Sequence, residues 1–323
     1  MGSDPVISDL GEHALIERIR ARLPAAPSFV VVGIGDDAAV IEPERNALEA
    51  ITTDSQVEGV HFDLAFTSPA DVGHKALAVN LSDVAAMGAA PRAALLSFIL
   101  PPAWPVAHLD ALVDGMVALA RRSKVSIVGG NIARSPGPLV VDVTVTGWVH
   151  RRRVLTRADA RAGDDLYVSG TLGGAALGLR ALRANHGDVS PAALRYRRPE
   201  PRLSLGMLLG RNRAARACVD LSDGLADGIR QIGSASGVGA VVDASAIPVE
   251  PGASLQDALS GGEDYELLFA VAPKLRRRFE GVRRLTKDVA VTRIGRLTAD
   301  RRFLLERGGT TEELPRGFTH FGI

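Results

Sequence analysis

The stretch Val219-Asp220-Leu221-Ser222-Asp223-Gly224-Leu225 joins an apolar, strand-like run at 216–219 to a helical pattern at 224–235. Three further acidic motifs also lie among small or apolar residues, namely GDD (35–37), TTD (52–54) and NLSD (80–83). Such neighbours predict turns or strand ends rather than a solvated helix face. Both halves of the chain show mixed helical and strand patterns around these motifs, so we expect an α/β fold.

The acidic motifs combine carboxylates with hydroxyl and carbonyl oxygens. These are the ligands that suit a hard divalent cation such as Mg²⁺. Asp, Ser, Thr and Gly also cap helices and form turns, and that structural interpretation is favoured for any single motif. Four motifs together, with the glycine-rich segments described below, favour a metal-dependent active site.

The bulk composition is that of an ordinary soluble protein, with 323 residues, 46% hydrophobic and 23% charged. A net charge of +1 gives no general attraction to nucleic acid or membrane. The single cysteine, Cys218, lies in an apolar run that predicts a buried thiol and suits a reducing compartment. No apolar run approaches the ~18 residues of a membrane span, and the N-terminus does not show the basic-then-apolar pattern of a signal peptide, so we expect a cytoplasmic enzyme.

The first half of the chain predicts one mixed domain, residues 1–149. Helices are expected over 9–22, where Asp9 and Glu12 form a capping-box pattern, from Ser68 to Met87, and over 106–122. Strands are expected over 29–32, 38–41, 48–53, 95–100, 125–128 and 139–149. The arginine tripeptide at 151–153 marks the domain boundary.

The second half, residues 150–323, predicts another mixed domain. Strands are expected over 165–169, 238–242 and 267–271, and helices through 177–182 and over 202–213 and 224–235. The segment 274–302 is rich in Arg and Lys but poor in aromatic residues, so it predicts a solvated face rather than a nucleic-acid site.

The acidic motifs restrict how a phosphate substrate could bind. Carboxylates repel ATP, which carries about four negative charges, unless divalent cations lie between the two sets of oxygens. Only Lys75, Arg134 and Arg157 lie near the motifs, so metal ions would have to offset most of the charge.

The known nucleotide-binding loops are missing from the sequence. It has no Gly-x-x-x-x-Gly-Lys-Ser/Thr and no Gly-x-Gly-x-x-Gly, which excludes a P-loop kinase and argues against a dinucleotide oxidoreductase. The turn at 169–174, SGTLGG, lies between a strand and a helix and could cradle phosphate, although such joints are also common for packing reasons.

Read in order, the motifs resemble those of the thiamine-monophosphate kinases, a family within the aminoimidazole ribonucleotide synthetase superfamily. The matching segments are GIGDDAAV (33–40), TTDSQVEGVHF (52–62), KALAVNLSDVAAMGA (75–89), GGN (129–131), LTRADARAGD (155–164), VDLSDGL (219–225), SGGEDYELLF (260–269) and GFTHF (317–321). The resemblance covers nearly the whole chain. It implies a two-domain synthetase-like fold, with an N-terminal ATP- and metal-binding domain that pairs across a homodimer and a C-terminal α/β sandwich domain.

The resemblance also implies ATP-dependent phosphorylation of thiamine monophosphate, with several Mg²⁺ ions as cofactor. The implied catalytic residues are Asp36, Asp54, Asp83 and Asp220. The implied metal ligands are Asp36, Thr52, Thr53, Asp54, Asp83, Asn131, Asp220 and Asp223. Nucleotide contacts fall on Gly130, Asn131, Arg157 and Ser222, and contacts to the thiamine moiety on His61, Glu263 and Phe318.

Several of these residues have a structural alternative. His61 could be a hydrogen-bonded core histidine, Glu263 and Asp264 could cap the following strand, and Lys75 could serve structure. Phe318 could be ordinary packing, although an aromatic ring also suits stacking on a thiazolium.

One position departs from the family, because Asn131 stands where the family has Asp after the glycine pair. An amide oxygen can bind Mg²⁺ but brings no charge, so one metal should bind more weakly. We expect direct in-line transfer to a phosphate that is already largely anionic, without a general base. A related enzyme for another phosphorylated small molecule, and a catalytically weakened nucleotide- or thiamine-phosphate-binding protein, remain alternatives.

Overall fold

The computed structural model describes residues 4–317, which form nine α-helices and thirteen strands. The chain divides into two compact units. Unit 1 comprises Met1–Val84 and Pro91–Trp148, and unit 2 comprises Ala85–Ala90 and Val149–Ile323. Among residues 4–317, no helix has the length and apolar character that a membrane crossing requires.

Unit 1 is built on a four-stranded sheet of order β3-β6-β4-β5 and a separate antiparallel pair, β1 and β2. Its helices are α1 (Glu12–Arg20), α2 (Pro69–Ala86) and α3 (Val106–Ser123). Its strands are β1 (Val30–Val32), β2 (Val40–Ile41), β3 (Leu48–Val57), β4 (Ala90–Leu100), β5 (Ser126–Arg134) and β6 (Val140–Val149). Strands β4 and β5 run parallel.

The predicted helices of unit 1 are confirmed, and their local signals explain where they begin. The Ser68 hydroxyl accepts a hydrogen bond from the Asp71 amide, as expected of an N-cap residue. In α3, Leu109, Leu112 and Met116 recur at helical spacing and are fully buried. The capping box expected at the first helix is wrong, because α1 begins after Gly11 and the Asp9 carboxylate instead accepts from the Val6 amide.

The four-stranded sheet has one buried and one open face. Along β6, alternate residues such as Val141 and Val143 are fully buried. On the open side, Ile51 of β3 and Leu95 of β4 are 68% and 41% exposed. The strand expected over 125–128 is longer than predicted, because β5 continues through the glycine pair to Arg134.

Unit 2 is a seven-stranded sheet of order β13-β12-β9-β11-β7-β10-β8, in which only the β9–β12 pair is parallel among the described strands. Its helices are α4 (Gly174–Ala184), α5 (Pro191–Arg197), α6 (Leu203–Arg211), α7 (Leu225–Ser236), α8 (Leu255–Ser260) and α9 (Arg276–Leu285). Its strands are β7 (Asp165–Ser169), β8 (Ala217–Asp220), β9 (Gly239–Asp243), β10 (Leu267–Val271), β11 (Val291–Thr298), β12 (Phe303–Arg307) and β13 (Thr310–Glu313).

Apolar cores cover both faces of this sheet. All five residues of β10 are buried, with Leu268 in one core and its neighbours Leu267 and Phe269 in the other. A strand buried on both faces is a continuous apolar run rather than an alternating one. Cys218 lies in the second core, and burial raises the pKa of its thiol, which confirms that it acts as a small buried hydrophobe.

The basic segment beyond β10 contains α9, whose Phe279 and Val282 are buried in the second core. The guanidinium groups of Arg276 and Arg293 both bind the buried Asp165 carboxylate, each at 2.7 Å. The segment therefore contributes to the fold of unit 2 as well as presenting charge to solvent.

Candidate functional site

In unit 1, two carboxylates come together where β3 faces α2. Residues 52, 54 and 56 of β3 are more buried than the intervening 51, 53 and 55, so Thr52 and Asp54 share one face of the strand. Asp83, in the last turns of α2, accepts a hydrogen bond from the Thr52 hydroxyl at 2.5 Å. A strand and a helix far apart in sequence thus place two acids and a hydroxyl in one cluster.

The two carboxylates affect each other electrostatically. Burial, and then the negative charge of Asp83, raise the pKa of Asp54 to about 6. A divalent cation would relieve that repulsion, and carboxylate and hydroxyl oxygens are the ligands that Mg²⁺ prefers. Within residues 4–317, however, no three His, Cys, Asp or Glu side chains form a group that could hold a metal ion. The cluster fits part of a Mg²⁺ site rather than a complete one.

Two other predicted metal ligands of unit 1 make their hydrogen bonds outside this cluster. The Thr53 side chain is on the opposite face of β3, where its hydroxyl donates to the Val143 carbonyl at 3.2 Å and accepts from Thr144 at 3.0 Å. Asp36 lies in an exposed turn and accepts a hydrogen bond from the Asp37 amide at 3.0 Å. Asp37 thus supports the turn through its backbone.

His61 and Lys75 are joined by a buried contact. The Lys75 ammonium, in a side chain that is only 1% exposed, donates to the His61 carbonyl at 3.0 Å. The His61 Nδ1 accepts from the Val57 amide at 3.1 Å, so Nε2 carries the proton of the neutral ring. Lys75 therefore serves the structure around His61, as the structural alternative predicted.

Gly130 and Asn131 lie within β5, not in a loop after it. Their register partners on β4 are Leu96 and Ser97. Because side chains alternate along a strand, Asn131 shares the face of Ser97 and Leu95, the open face of the sheet. At Gly130, an added Cβ would overlap the backbone of Leu96 on the neighbouring strand.

In unit 2, sheet register brings four predicted residues together. Leu267 pairs with Asp220 at the end of β8, so the loop before β10 lies beside the loop after β8. The Glu263 amide accordingly donates to the Ser222 carbonyl at 2.6 Å. The Ser222 hydroxyl donates to the Asp223 carboxylate at 2.8 Å.

Arg157 belongs to the same region of unit 2. The carbonyl of its neighbour Thr156 accepts a hydrogen bond from the Cys218 amide of β8, and the Arg157 side chain is exposed. Burial and the charge of Asp223 raise the pKa of Asp227, whereas Arg157 lowers it. Asp227 lies in the first turn of α7, four residues after Asp223, and was not predicted as a site residue.

The segment Gly261–Glu266, here termed the Glu263 loop, has an unusual backbone. Glu263 and Tyr265 have left-handed φ angles of 59° and 50°, which cost energy for residues other than glycine. Between them, the Asp264 carboxylate accepts hydrogen bonds from the Gly173 and Ala175 amides, at 2.6 and 3.1 Å. Asp264 therefore caps helix α4 and not the following strand, which corrects the structural alternative.

The same contacts decide the role of the turn at 169–174. The Gly173 amide of this turn and the Ala175 amide just after it both donate to Asp264, a carboxylate of the protein itself, so these two amides are not free to cradle a phosphate. Burial raises the pKa of Asp264 to about 6, against the effect of these amides and of Arg195.

Glu266 anchors the other end of the Glu263 loop. Its fully buried carboxylate accepts from Arg202 Nε at 2.7 Å, from Ser169 Oγ at 2.5 Å and from Arg195 Nη2 at 3.3 Å. A second bond from Arg202 makes that pair bidentate. Neither arginine was singled out from the sequence, since nothing local links residues 195–202 to 266.

Phe318, the remaining predicted thiamine contact, lies outside the described residues. The chain leading to it is held at the end of α8, where the Ser260 hydroxyl donates to the Arg316 carbonyl at 3.1 Å.

Comparison with known proteins identifies relatives of the whole chain. The AIR synthase related protein family matches with its N-terminal domain over residues 35–149 and its C-terminal domain over residues 161–306. The thiamine-monophosphate kinase of Escherichia coli (strain K12) is 40% identical over 96% of this chain and 98% of its own.

Two solved structures are similar as well. One is a thiamine-monophosphate kinase from Stenotrophomonas maltophilia K279a, with a TM-score of 0.82 and 38% identity over 92% of this chain and 97% of that one. The other is AaThiL complexed with AMPPCP and TMP, with a TM-score of 0.76 and 31% identity over 99% of this chain and 100% of that one. The predicted two-domain synthetase-like fold is thereby confirmed.

Proposed function

Because the chain belongs to the thiamine-monophosphate kinase family of AIR synthase related proteins, and is thus a kinase, we propose that it transfers the terminal phosphate of ATP to thiamine monophosphate. The products are thiamine diphosphate and ADP. One observation carries the proposal: a relative that aligns with 99% of this chain binds AMPPCP and TMP together. The acidic cluster of Thr52, Asp54 and Asp83 supports it, because phosphoryl transfer beside carboxylates calls for divalent cations.

The proposed cofactor is Mg²⁺. Within unit 1, the cluster of Thr52, Asp54 and Asp83 is the centre of the proposed site. It suits a cation because its two neighbouring carboxylates repel each other. The other proposed ligands lie outside this cluster, Thr53 and Asn131 on the open face of the sheet. The full set of these ligands is Asp36, Thr53, Asn131, Asp220 and Asp223. When bound, Mg²⁺ neutralises phosphate charge and aligns the reacting phosphates.

The protein's own residues then need only bind and orient the substrates. An acceptor phosphate has a second pKa near ~6 and is largely ionised at neutral pH, so in-line attack requires no general base. We assign the nucleotide to Gly130, Asn131, Arg157 and Ser222, and the thiamine moiety to His61, Glu263 and Phe318. The tautomer that the Val57 amide fixes leaves His61 a single ring donor, Nε2.

We further propose that the enzyme is a homodimer formed through the open face of the unit 1 sheet. The exposed Ile51 and Leu95 support this, since apolar side chains on an uncovered sheet face favour a partner surface. Leu95→Lys should convert a dimer into a monomer of 34.0 kDa, as measured by light scattering after gel filtration. A natural chain that is monomeric throughout would refute the dimer. We also propose a cytoplasmic location, because the buried Cys218 thiol suits a reducing compartment.

The reaction is tested by measuring ADP and thiamine diphosphate from ATP plus thiamine monophosphate, with and without Mg²⁺. We expect both products in equal amounts and only with the metal. Asp83→Asn should lower turnover by at least about 100-fold, since it removes one acid of the proposed metal site. Asp110→Asn is a matched control on α3, because Asp110 forms ion pairs with Arg18 and Arg22 and is not among the proposed site residues.

The same assay separates the alternatives. ADP release with another phosphorylated acceptor, but not with thiamine monophosphate, would identify a related enzyme of different specificity. Binding of both ligands without ADP formation at any Mg²⁺ concentration would identify a binding protein and refute the kinase reaction.

A further inference from the structure

The Glu263 loop holds its proposed substrate residue in a conformation that a free chain would avoid. Two of its side chains, Glu263 and Tyr265, sit on backbone with left-handed φ, and such strain persists only where the surroundings enforce it. The alternate residues, Asp264 and Glu266, are 6% and 0% exposed and point into unit 2. Tyr265 is buried as well, at 8% exposed, so Glu263 is the half-buried side chain among these four.

The buried carboxylates of Asp264 and Glu266 hold the loop in place through hydrogen bonds. Each oxygen of Asp264 accepts a different backbone amide, Oδ2 from Gly173 and Oδ1 from Ala175. Both amides lie at the start of α4, where the helix dipole favours a negative charge. Two further bonds run from the loop's own amides, Glu263 to Ser222 and Tyr265 to Leu221. Asp264 is the side chain that lies between the two strained residues.

We propose that Asp264 is a positioning residue for the acceptor substrate: by clamping the first amides of α4, it fixes the backbone of Glu263 and so the side chain that binds the thiamine moiety. This inference rests on the proposed function, since it concerns the affinity for thiamine monophosphate. The paired arginines on Glu266 assist, because they hold the loop where it enters β10.

Asp264→Asn is a sharp probe of this role. The substitution keeps the shape of the side chain but replaces one oxygen with an NH₂ group, which cannot accept from the amide of Gly173 or Ala175. One clamp bond is lost and two donors face each other, so the left-handed conformation at Glu263 loses its support.

The expected result is selective. In steady-state assays, D264N should raise the KM for thiamine monophosphate about tenfold, the effect of one lost charge-assisted bond, and change the KM for ATP less than about twofold. D165N is the matched control: Asp165 is also a buried aspartate of unit 2, 3% exposed, but its partners are Arg276 and Arg293. It should lower the unfolding temperature without changing either KM.

Two additional variants distinguish a loss of positioning from a general loss of folding. R202K keeps the positive charge next to Glu266 but loses the bidentate fork, and should raise the same KM about threefold. E263Q removes the carboxylate charge through which Asp264 is proposed to act, so adding D264N to E263Q should raise the KM for thiamine monophosphate less than D264N does alone.

The outcomes separate the two hypotheses. A natural chain without turnover on thiamine monophosphate overturns the proposed function, whatever the variants do. The positioning role is overturned if the natural chain turns over and both D264N and R202K have the same KM for thiamine monophosphate as the natural chain. Full additivity of D264N and E263Q, or an equal rise in both KM values, overturns it as well.

Discussion

Replacing Gly130 with alanine should show why β5 has a glycine pair in its middle. The pair could be needed for close packing against β4 or for binding the nucleotide. A methyl group at Gly130 would lie 2.9 Å from the carbonyl carbon of Leu96 and closer still to its oxygen. Both are backbone atoms of the neighbouring strand β4, so no change of rotamer can relieve the overlap. At Gly129 the nearest atom is Leu95 Cδ2 at 3.0 Å, the end of a flexible and 41% exposed side chain.

The expected loss of stability in G130A follows from the backbone movement that the added methyl group requires. To admit the Gly130 methyl, β4 and β5 must separate, which strains the sheet and weakens at least one ladder hydrogen bond. Overpacking of this kind costs about 1–3 kcal/mol and a lost hydrogen bond about 1 kcal/mol, so we expect G130A to lose roughly 3 kcal/mol. The same loss corresponds to a fall of roughly 6–12 °C in unfolding temperature. G129A should stay within about 1 kcal/mol of the natural chain, because Leu95 can turn aside.

Urea unfolding of the natural chain, G129A and G130A measures these free energies, and the KM for ATP adds a functional readout. Equal losses in both variants would refute the packing argument, as would a G130A variant within about 1 kcal/mol of the natural chain. A stable G130A with a raised KM for ATP would instead assign Gly130 to nucleotide binding alone.

Three other outcomes are expected. The natural chain should turn over, and N131D should lower the Mg²⁺ concentration for half-maximal activity because it adds a charge to an amide ligand; an inactive natural chain that N131D rescues would contradict this. The hydrogen bond from Arg180 lowers the pKa of Asp257 to about 2, so the stability that this pair adds is present above the ordinary pKa of 3.8 and lost as pH falls towards about 2. The difference in unfolding free energy between the natural chain and D257N should therefore shrink over that range, and a constant difference would refute it. F279A should cost about 3–5 kcal/mol in urea unfolding, because Phe279 is fully buried and packs on Tyr167 and Phe269; a loss below about 1 kcal/mol would show that the core can collapse around the gap.

Elements with a strong apolar pattern were predictable from the sequence. Strands β7 and β10 have the bounds that their apolar runs predict, and α3 differs by one residue at its end. Short or polar elements were not predicted, such as α5 and the β12–β13 hairpin, because tertiary contacts rather than local pattern stabilise them. The strand predicted over 125–128 was too short because glycine weakens a strand locally, so the glycine pair predicts a strand end. In the structure the strand continues, because its close approach to β4 requires glycine there.

The candidate site was predictable as a set of residues but not as an arrangement. The sequence singled out Thr52, Thr53 and Asp54 together, whereas strand alternation places Thr53 on the other face from its neighbours. A strand cap is the structural alternative that local sequence offers for Asp264, because its helix partner, α4, begins about ninety residues earlier in the chain. Long-range hydrogen bonds of this kind leave no periodic signal in a sequence.

The anchoring of the Glu263 loop also bears on the order in which the protein assembles. Its clamps come from the start of α4 and from Arg195 and Arg202, so most of the stability of the loop comes from distant parts of the chain. We expect it to form only when the surrounding sheet and helices are complete, and to open only when unit 2 unfolds as a whole. Amide hydrogen exchange at Glu263 and Tyr265 should then be as slow as in the centre of β10. A binding loop of this kind is a late product of folding that, once formed, is as durable as the core.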